Sequence, residues 1–341
     1  MLEDLCGIPV VGVIPYMDVD IEDEDSLSSR LETGKGKAPA AVDLAVIRFP
    51  RISNFTDFNV FSGIPGVSLR YVTRACDLGT PDMVILPGTK NTIHDLLWMR
   101  QNGLEAAILK LADRQVPVWG ICGGYQMMGE VLVDEKGVES DLPSRTSGMG
   151  LLPLKTEFEK EKIRTQVEGA FGQLDGCLGG LSGKSIEGYE IHMGRTYIDR
   201  EEGAADTARI VSWRREPEIC RPMDYVMEMG KDRLLSRKAR MDGWNRGNIY
   251  GTYVHGIFDS PGIARTVAEA LAAAKGLCLE QAADMDYRTY RQQQYDKLAE
   301  ELRENLDMAA VYRIMGISQK GKGEEKPDDG YTVGTGTAGR H

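Results

Sequence analysis

The chain has 341 residues and a mass of 37.7 kDa, enough for one large or two ordinary domains. Its 42% hydrophobic and 27% charged residues are those of a globular protein and exclude disordered, collagenous and coiled-coil classes. With 41 Lys and Arg against 52 Asp and Glu the net charge is −11, which excludes a protein that grips nucleic acid by bulk charge. No apolar run reaches the ~18 residues of a membrane span, and the first residues, MLEDLCG, lack the pattern of a secretory leader. A cytoplasmic chain with neither nucleic acid nor membrane as partner is expected. None of the six cysteines stands in a C-x-x-C pair, so no disulfide scaffold and no metal site are predicted.

In chain order, GIPVVGVIPYM has the continuous apolar run of a buried strand. Too few residues precede it to supply its sheet, so the chain reads as beginning inside a domain. The acidic and then Gly-, Ser- and Lys-rich DVDIEDEDSLSSRLETGKGKAPA predicts a linker and a boundary near Ala40. Within it ETGKGKAPA lacks the G-x-x-x-x-G-K-[ST] spacing of a phosphate loop, so no ATP site and no other cofactor are predicted in this chain. From Val42 onward VDLAVIRFP, VSLRYV, DMVILPG and VPVWG read as strands alternating with helices. In Thr92–Asn102 the apolar positions at helical spacing are Ile93, Leu96 and Leu97; in Leu104–Arg114 they are Leu104, Ala107, Ile108 and Leu111. The alternation predicts an α/β fold with a mostly parallel sheet flanked by helices, whose ligands bind at the carboxyl ends of the strands.

Arg195 to Gly247 is charged and weakly periodic and yields no assignment. After it come the strand NIYGTYVHG and a helix from Pro261 to about Lys275. Tyr295, Leu298, Ala299, Leu302 and Leu306 mark a helical stripe between Tyr287 and Met315, and the last residues have too little to bury to be ordered. The predicted organisation is an N-terminal remnant and linker over 1–40, a main domain over 41–275, a helical extension over 276–316 and a disordered tail over 317–341.

Chemistry is predicted at VPVWGICGGYQMMG, where a strand runs through a G-x-C-x-G turn into a helix. Gly120, Gly123 and Gly124 permit a tight turn that lifts Cys122 above the sheet edge, the layout of a nucleophile elbow. The alternative is a small buried cysteine beside a turn, since free cysteines are among the most buried residues. A cysteine nucleophile needs a base, and the chain has four histidines. His255, at the end of the strand NIYGTYVHG, is the first candidate. His192 in GYEIHMG, on one strand face with Glu190, is the second, in a supporting role. His94 lies in the helix after PGTKNT and reads as structural, and His341 lies in the tail. Gly88 in LPGTKNT brings bare backbone to the same edge, where its region and Gly123 could bind an oxyanion; a plain Pro-Gly turn is the other reading.

The segments LPGTKNTIHDLLWMR, VPVWGICGGYQMMG, GYEIHMG and GTYVHGIFD, in this order and spacing, closely resemble the C-terminal type 1 glutamine amidotransferase domain of the cobyric acid synthase family. The likeness covers about Asp43 to Lys275 and extends to the helical stretch near Met315, while the opening CGIPVVGVIPYMDVDIEDEDS looks like the end of that family's ATP-binding synthetase domain. The resemblance implies a flavodoxin-like α/β fold and a cysteine-dependent glutaminase, with Cys122 as nucleophile, His255 as proton carrier, and Gly88 and Gly123 in the oxyanion-hole and glutamine-binding region. It also implies glutamine as substrate and a corrinoid acceptor reached through a synthetase domain. ATP and Mg would belong to that domain, most of which has no counterpart here; the chain reads as an incomplete, truncated or split enzyme that alone hydrolyses glutamine at most. Where most type 1 amidotransferases have a glutamate two residues after the histidine, this chain has Ile257, so Glu190 is a candidate to orient His255. The competing readings are an amidotransferase for another carboxylate, such as a cobyrinic acid a,c-diamide synthase or a cell-wall ligase partner, an inactive remnant acting as a binding module, and a cysteine peptidase.

Overall fold

The computed structural model describes residues 1–17, 19, 40–139, 143–198, 221–229, 239–279 and 287–317. The linker, much of the stretch between Arg195 and Gly247, and the tail from 318 lie outside the described residues. Two units are formed, one from Met1–Asp20 with Gln293–His341 and the other from Ile21–Gln292.

The larger unit is mixed α/β, built on five parallel strands: β1 (Val42–Ile47), β2 (Val67–Val72), β3 (Met83–Leu86), β4 (Val118–Ile121) and β11 (Ile249–Thr252), in the order β2-β1-β3-β4-β11. Their apolar runs follow from burial on both faces: every residue of β3, β4 and β11 is buried. The helices Thr92–Gln101, Leu104–Asp113 and Ile263–Ala274 flank the sheet. In the first, Ile93, Leu96 and Met99 are buried while the expected Leu97 is exposed; in the second, Leu104, Ile108 and Leu111 are buried and Ala107 lies at the edge of the core.

Beyond β11 the sheet continues through antiparallel β10 (Ala239–Arg246), β9 (Arg221–Met229) and β7 (Lys155–Phe171); β5 (Val131–Asp134) then pairs β7 in parallel, while β6 (Ser144–Ser147) is antiparallel to β5 and β8 (Ser185–Tyr197) antiparallel to β7. The described parts of 195–247 are therefore strands, which the sequence did not announce. In β7 likewise, polar and charged residues cover the exposed positions, as in EFEKEKIRTQ, and hide the period of two.

In the smaller unit GIPVVGVIPYM is not the expected buried strand. Only Gly12 forms a bridge, to Leu306, supported by a bond from Asp307 N to Val11 O of 2.6 Å, and Ile8, Val10, Val13, Ile14 and Tyr16 are exposed. A strand reaches full burial only between neighbours on both sides, and among the described residues this segment has one. The predicted helical stretch is two helices, Tyr287–Asn305 and Met308–Ile314, broken where the Asp307 side chain accepts from Ala310 N and starts the second. No helix among the described residues is long and apolar enough to cross a membrane.

Candidate active site

Four strand ends deliver the site. β4 runs directly into Cys122, which adopts φ 52° and ψ −109°, one of three positive-φ non-glycine residues among those described. Glycines make the turn possible: a Cβ on Gly124 would collide with the Leu86 carbonyl, and one on Gly120 would meet Tyr125 Cα at 2.8 Å. Backbone bonds from Cys122 N to Thr252 O (2.9 Å), from Gln126 N to Cys122 O (2.9 Å) and from Gly124 N to Pro87 O (3.0 Å) fix the turn to β11 and to the loop after β3. Strain at a single non-glycine residue persists only where surroundings hold it in this way. The thiol is 7% exposed and donates to Ile191 O at 3.6 Å, so β8 passes over it.

His255 follows β11 and is fully buried. Its Nδ1 meets Asp57 Oδ2 at 2.7 Å, and Gly256 N donates to Asp57 Oδ1 at 3.2 Å, so one carboxylate holds both the imidazole and the backbone after it. Asp57 sits in the short 3-10 turn Phe55–Phe58 beyond β1, and the next residue, Phe58, packs its ring 6.3 Å from that of Phe258, which also contacts Phe61 and Trp119. Aromatic packing thereby pins the two loops together. Burial works against a charged imidazole here, but the Asp57 charge and hydrogen bond outweigh it, with Cys122 adding, and His255 is pushed up to about 10. Its Nε2 has no hydrogen-bond partner among the described residues.

The carboxylate that meets His255 is Asp57 and not the expected Glu190, which lies beside the other histidine. Glu190 and His192 share the buried face of β8, as alternation predicts, with Glu190 Oε2 3.4 Å from His192 Nε2. The His192 ring stacks on Tyr253 at 3.7 Å and 14°. Gln126, one turn after Cys122, closes this side by donating to Met193 O (2.9 Å) and to the Tyr253 hydroxyl (3.1 Å). His94 is exposed beside Asn91, which caps its helix by accepting from His94 N at 2.9 Å. His341 lies outside the described residues.

This strained cysteine with a carboxylate-held histidine lies within a segment that matches a family model. Residues 43–263 match the CobB/CobQ-like glutamine amidotransferase domain. The chain belongs to that family. Among curated relatives, cobyric acid synthase of Ruminiclostridium cellulolyticum is 47% identical over 317 residues, covering 92% of this chain and 56% of the relative. Cobyric acid synthase of Photorhabdus laumondii is 41% identical over 94% of this chain and 58% of its own length. The chain thus spans a little over half the length of the curated relatives it matches. A solved glutamine amidotransferase covers 67% of this chain at a TM-score of 0.40 and 14% identity.

In this amidotransferase domain Gly88 and Gly123 are both closely packed. A Cβ on Gly88 would stand 3.0 Å from His255 Cε1 and 3.1 Å from Ser53 Oγ, and one on Gly123 would stand 2.6 Å from Thr89 Cγ2. The Gly88 loop is tied down by Ser53 N to Gly88 O (2.9 Å) and Lys90 N to Arg51 O (2.9 Å), so the segment around Ser53 supports it as well as delivering Asp57. Thr92 Oγ1 bonds Gln126 Oε1 at 3.0 Å, and Glu139 accepts from Thr92 N at the start of that helix. Burial, with Asp134 and Asp95 nearby, pushes Glu139 up to about 7. Asp57 and Asn54 are the site residues that the sequence did not reveal. Their position after β1 was a usable signal, since every loop at the carboxyl edge can reach the site, but nothing local distinguishes Asp57 from other acids.

Proposed function

We propose that Cys122 hydrolyses glutamine and that the ammonia serves ATP-dependent amidation of corrinoid carboxylates, converting adenosylcobyrinic acid a,c-diamide to adenosylcobyric acid in cobalamin biosynthesis. The observation behind the catalytic half is the buried His255, held at Nδ1 by Asp57 with Nε2 unpartnered among the described residues, beside a cysteine at a strained strand-to-helix turn. The Cys122 sulfur, as thiolate, attacks the side-chain amide carbon of glutamine and forms a C–S bond while the carbonyl oxygen takes the negative charge. Amides at Gly123 and in the Gly88 loop are the donors suited to that oxyanion. The imidazolium of His255 gives its proton to the departing nitrogen, the C–N bond breaks and ammonia leaves. His255, now neutral, takes a proton from water as the water attacks the thioester; glutamate departs and the sulfur is restored.

The names of the curated relatives support the corrinoid acceptor. A synthetase body with its ATP and Mg would be a separate part, joined to this one or supplied by another chain. The test is glutamate release from glutamine by the purified chain and by Cys122→Ala, each with and without a separately expressed synthetase domain and its substrates. Release that depends on Cys122 and rises with the synthetase supports both halves of the proposal. Folded protein that releases nothing under either condition would favour a remnant acting as a binding module.

A further inference from the structure

Asp57 grips the edge of the His255 imidazole, and a second residue covers its face. The Tyr189 ring lies 5.3 Å from the His255 ring at an interplanar angle of 18°. The same two residues exchange backbone bonds, Tyr189 N to His255 O at 3.1 Å and His255 N to Tyr189 O at 2.8 Å, where β8 crosses the loop after β11. The tyrosine hydroxyl accepts from Asn54 Nδ2 at 2.7 Å. Asn54, at φ 52° and ψ 36°, is the residue before the turn that contains Asp57, and Asp57 N donates to Asn54 O at 3.1 Å. One four-residue span therefore secures the catalytic imidazole twice, at its edge through Asp57 and at its face through Tyr189.

We propose that Tyr189, pinned by Asn54, is a positioning residue that fixes the plane of His255 so that Nε2 faces the Cys122 sulfur and the leaving nitrogen. The proposal rests on the catalytic reading of Cys122 and His255 above. A stacked ring adds to the Asp57 bond in opposing rotation about the Cβ–Cγ bond, and an aromatic face also favours a cation laid against it. The titratable groups that face His255 are Asp57, Cys122 and Tyr189 itself. A ring merely filling space would leave the titration of the histidine where it is.

Three variants separate these possibilities. Tyr189→Leu removes the ring, Tyr189→Phe keeps the ring and breaks the bond to Asn54, and Asn54→Gly breaks the same bond while accepting the positive φ. For Tyr189→Leu the expected result is a kcat for glutamine hydrolysis lower by about tenfold with KM little changed. Its His255 midpoint should fall by about half a unit to one unit, followed by NMR of labelled histidine and assigned by its loss in His255→Asn. Tyr189→Phe and Asn54→Gly should each lose about two- to fivefold in kcat, with the midpoint nearly kept. An unmoved His255 midpoint in folded Tyr189→Leu overturns the proposal whatever the activity, as does a rise in KM with kcat unchanged, which would assign the ring to holding substrate. If the parent chain shows no Cys122-dependent glutamate release yet the midpoint moves, the positioning role stands and the catalytic reading falls.

Discussion

The candidate site holds two buried histidine–carboxylate pairs that look alike in composition and differ in construction. On one side Asp57 reaches His255 across 198 positions of sequence, at 2.7 Å, from a separate loop pinned by the Phe58–Phe258 contact. On the other, Glu190 meets His192 at 3.4 Å from two residues away on the same strand, with the ring flat against Tyr253. A short bond between independently anchored loops fixes the imidazole in one tautomer and one direction and leaves its far nitrogen for chemistry. A longer contact within a strand, closed by aromatic stacking, packs the buried face of β8, whose Ile191 carbonyl receives the Cys122 thiol. Carboxylate proximity and an unpartnered second ring nitrogen among the described residues are common to both pairs; what separates them is how each carboxylate is anchored.

The largest effect that separates the pairs should come from Asp57→Asn. An amide at this position keeps the shape, but its nitrogen can donate to Nδ1 and select the wrong tautomer, and the imidazolium loses its counter-charge. The kcat for glutamine hydrolysis should fall on the order of 10²–10⁴-fold with KM nearly constant. A loss below tenfold in steady-state kinetics would place the orienting role elsewhere.

His192→Phe should invert that pattern. The aromatic stack on Tyr253 survives in part, while a buried carboxylate loses its histidine contact, a change that costs about 1–3 kcal/mol. The expected outcome is a melting temperature lower by about 3–10 °C and a kcat within about fivefold of the parent, checked by calorimetry alongside the glutaminase assay. A catalytic loss as large as that of Asp57→Asn would make the two pairs functional equals.

The Asp57–His255 pair should also make stability depend on pH. His255 is raised from an ordinary value near 6.5 to about 10, by Asp57 against the penalty of burial, so the folded protein binds a proton there that the unfolded chain releases between these values. Its contribution to stability is complete below about pH 6.5 and is lost as pH climbs toward 10. Melting temperatures measured from pH 6 to 10 should decline in the parent chain, and Asp57→Asn should flatten this decline by a few degrees. Equal slopes in the two proteins would show that Asp57 does not hold the charge.

How far the sequence reveals this site can be followed residue by residue. Cys122 was legible because an elbow needs glycines on both sides of a strand-to-helix turn, and those constraints are local. His255 was legible because a histidine ending a strand arrives at the carboxyl edge of a parallel sheet. Asp57 was not, since what selects it is the packing of Phe58 on Phe258, a contact between loops far apart in sequence. The five parallel strands announced themselves as apolar runs and β8 by its alternation in GYEIHMG, whereas β9 and β10 fall in a charged stretch that presented no clear period. GIPVVGVIPYM shows the opposite failure: apolar composition suggested burial, and burial depends on neighbours that a run of residues cannot specify by itself.

Glu190→Gln is the smallest expected effect and the sharpest test of the contrast, because the sequence made Glu190 the natural orienter of His255. The amide can still meet His192, its oxygen accepting or its nitrogen donating to Nε2, so the packing of β8 over Cys122 is preserved. The Asp57–His255 pair has its own anchors, so neither its tautomer nor its charge should change. We expect kcat and KM within about threefold of the parent, with an unaltered pH profile, since the carboxylate on His255 is Asp57. A drop comparable with that of Asp57→Asn would mean that the two pairs act on Cys122 together, and the line drawn between a catalytic and a supporting pair would have to be abandoned.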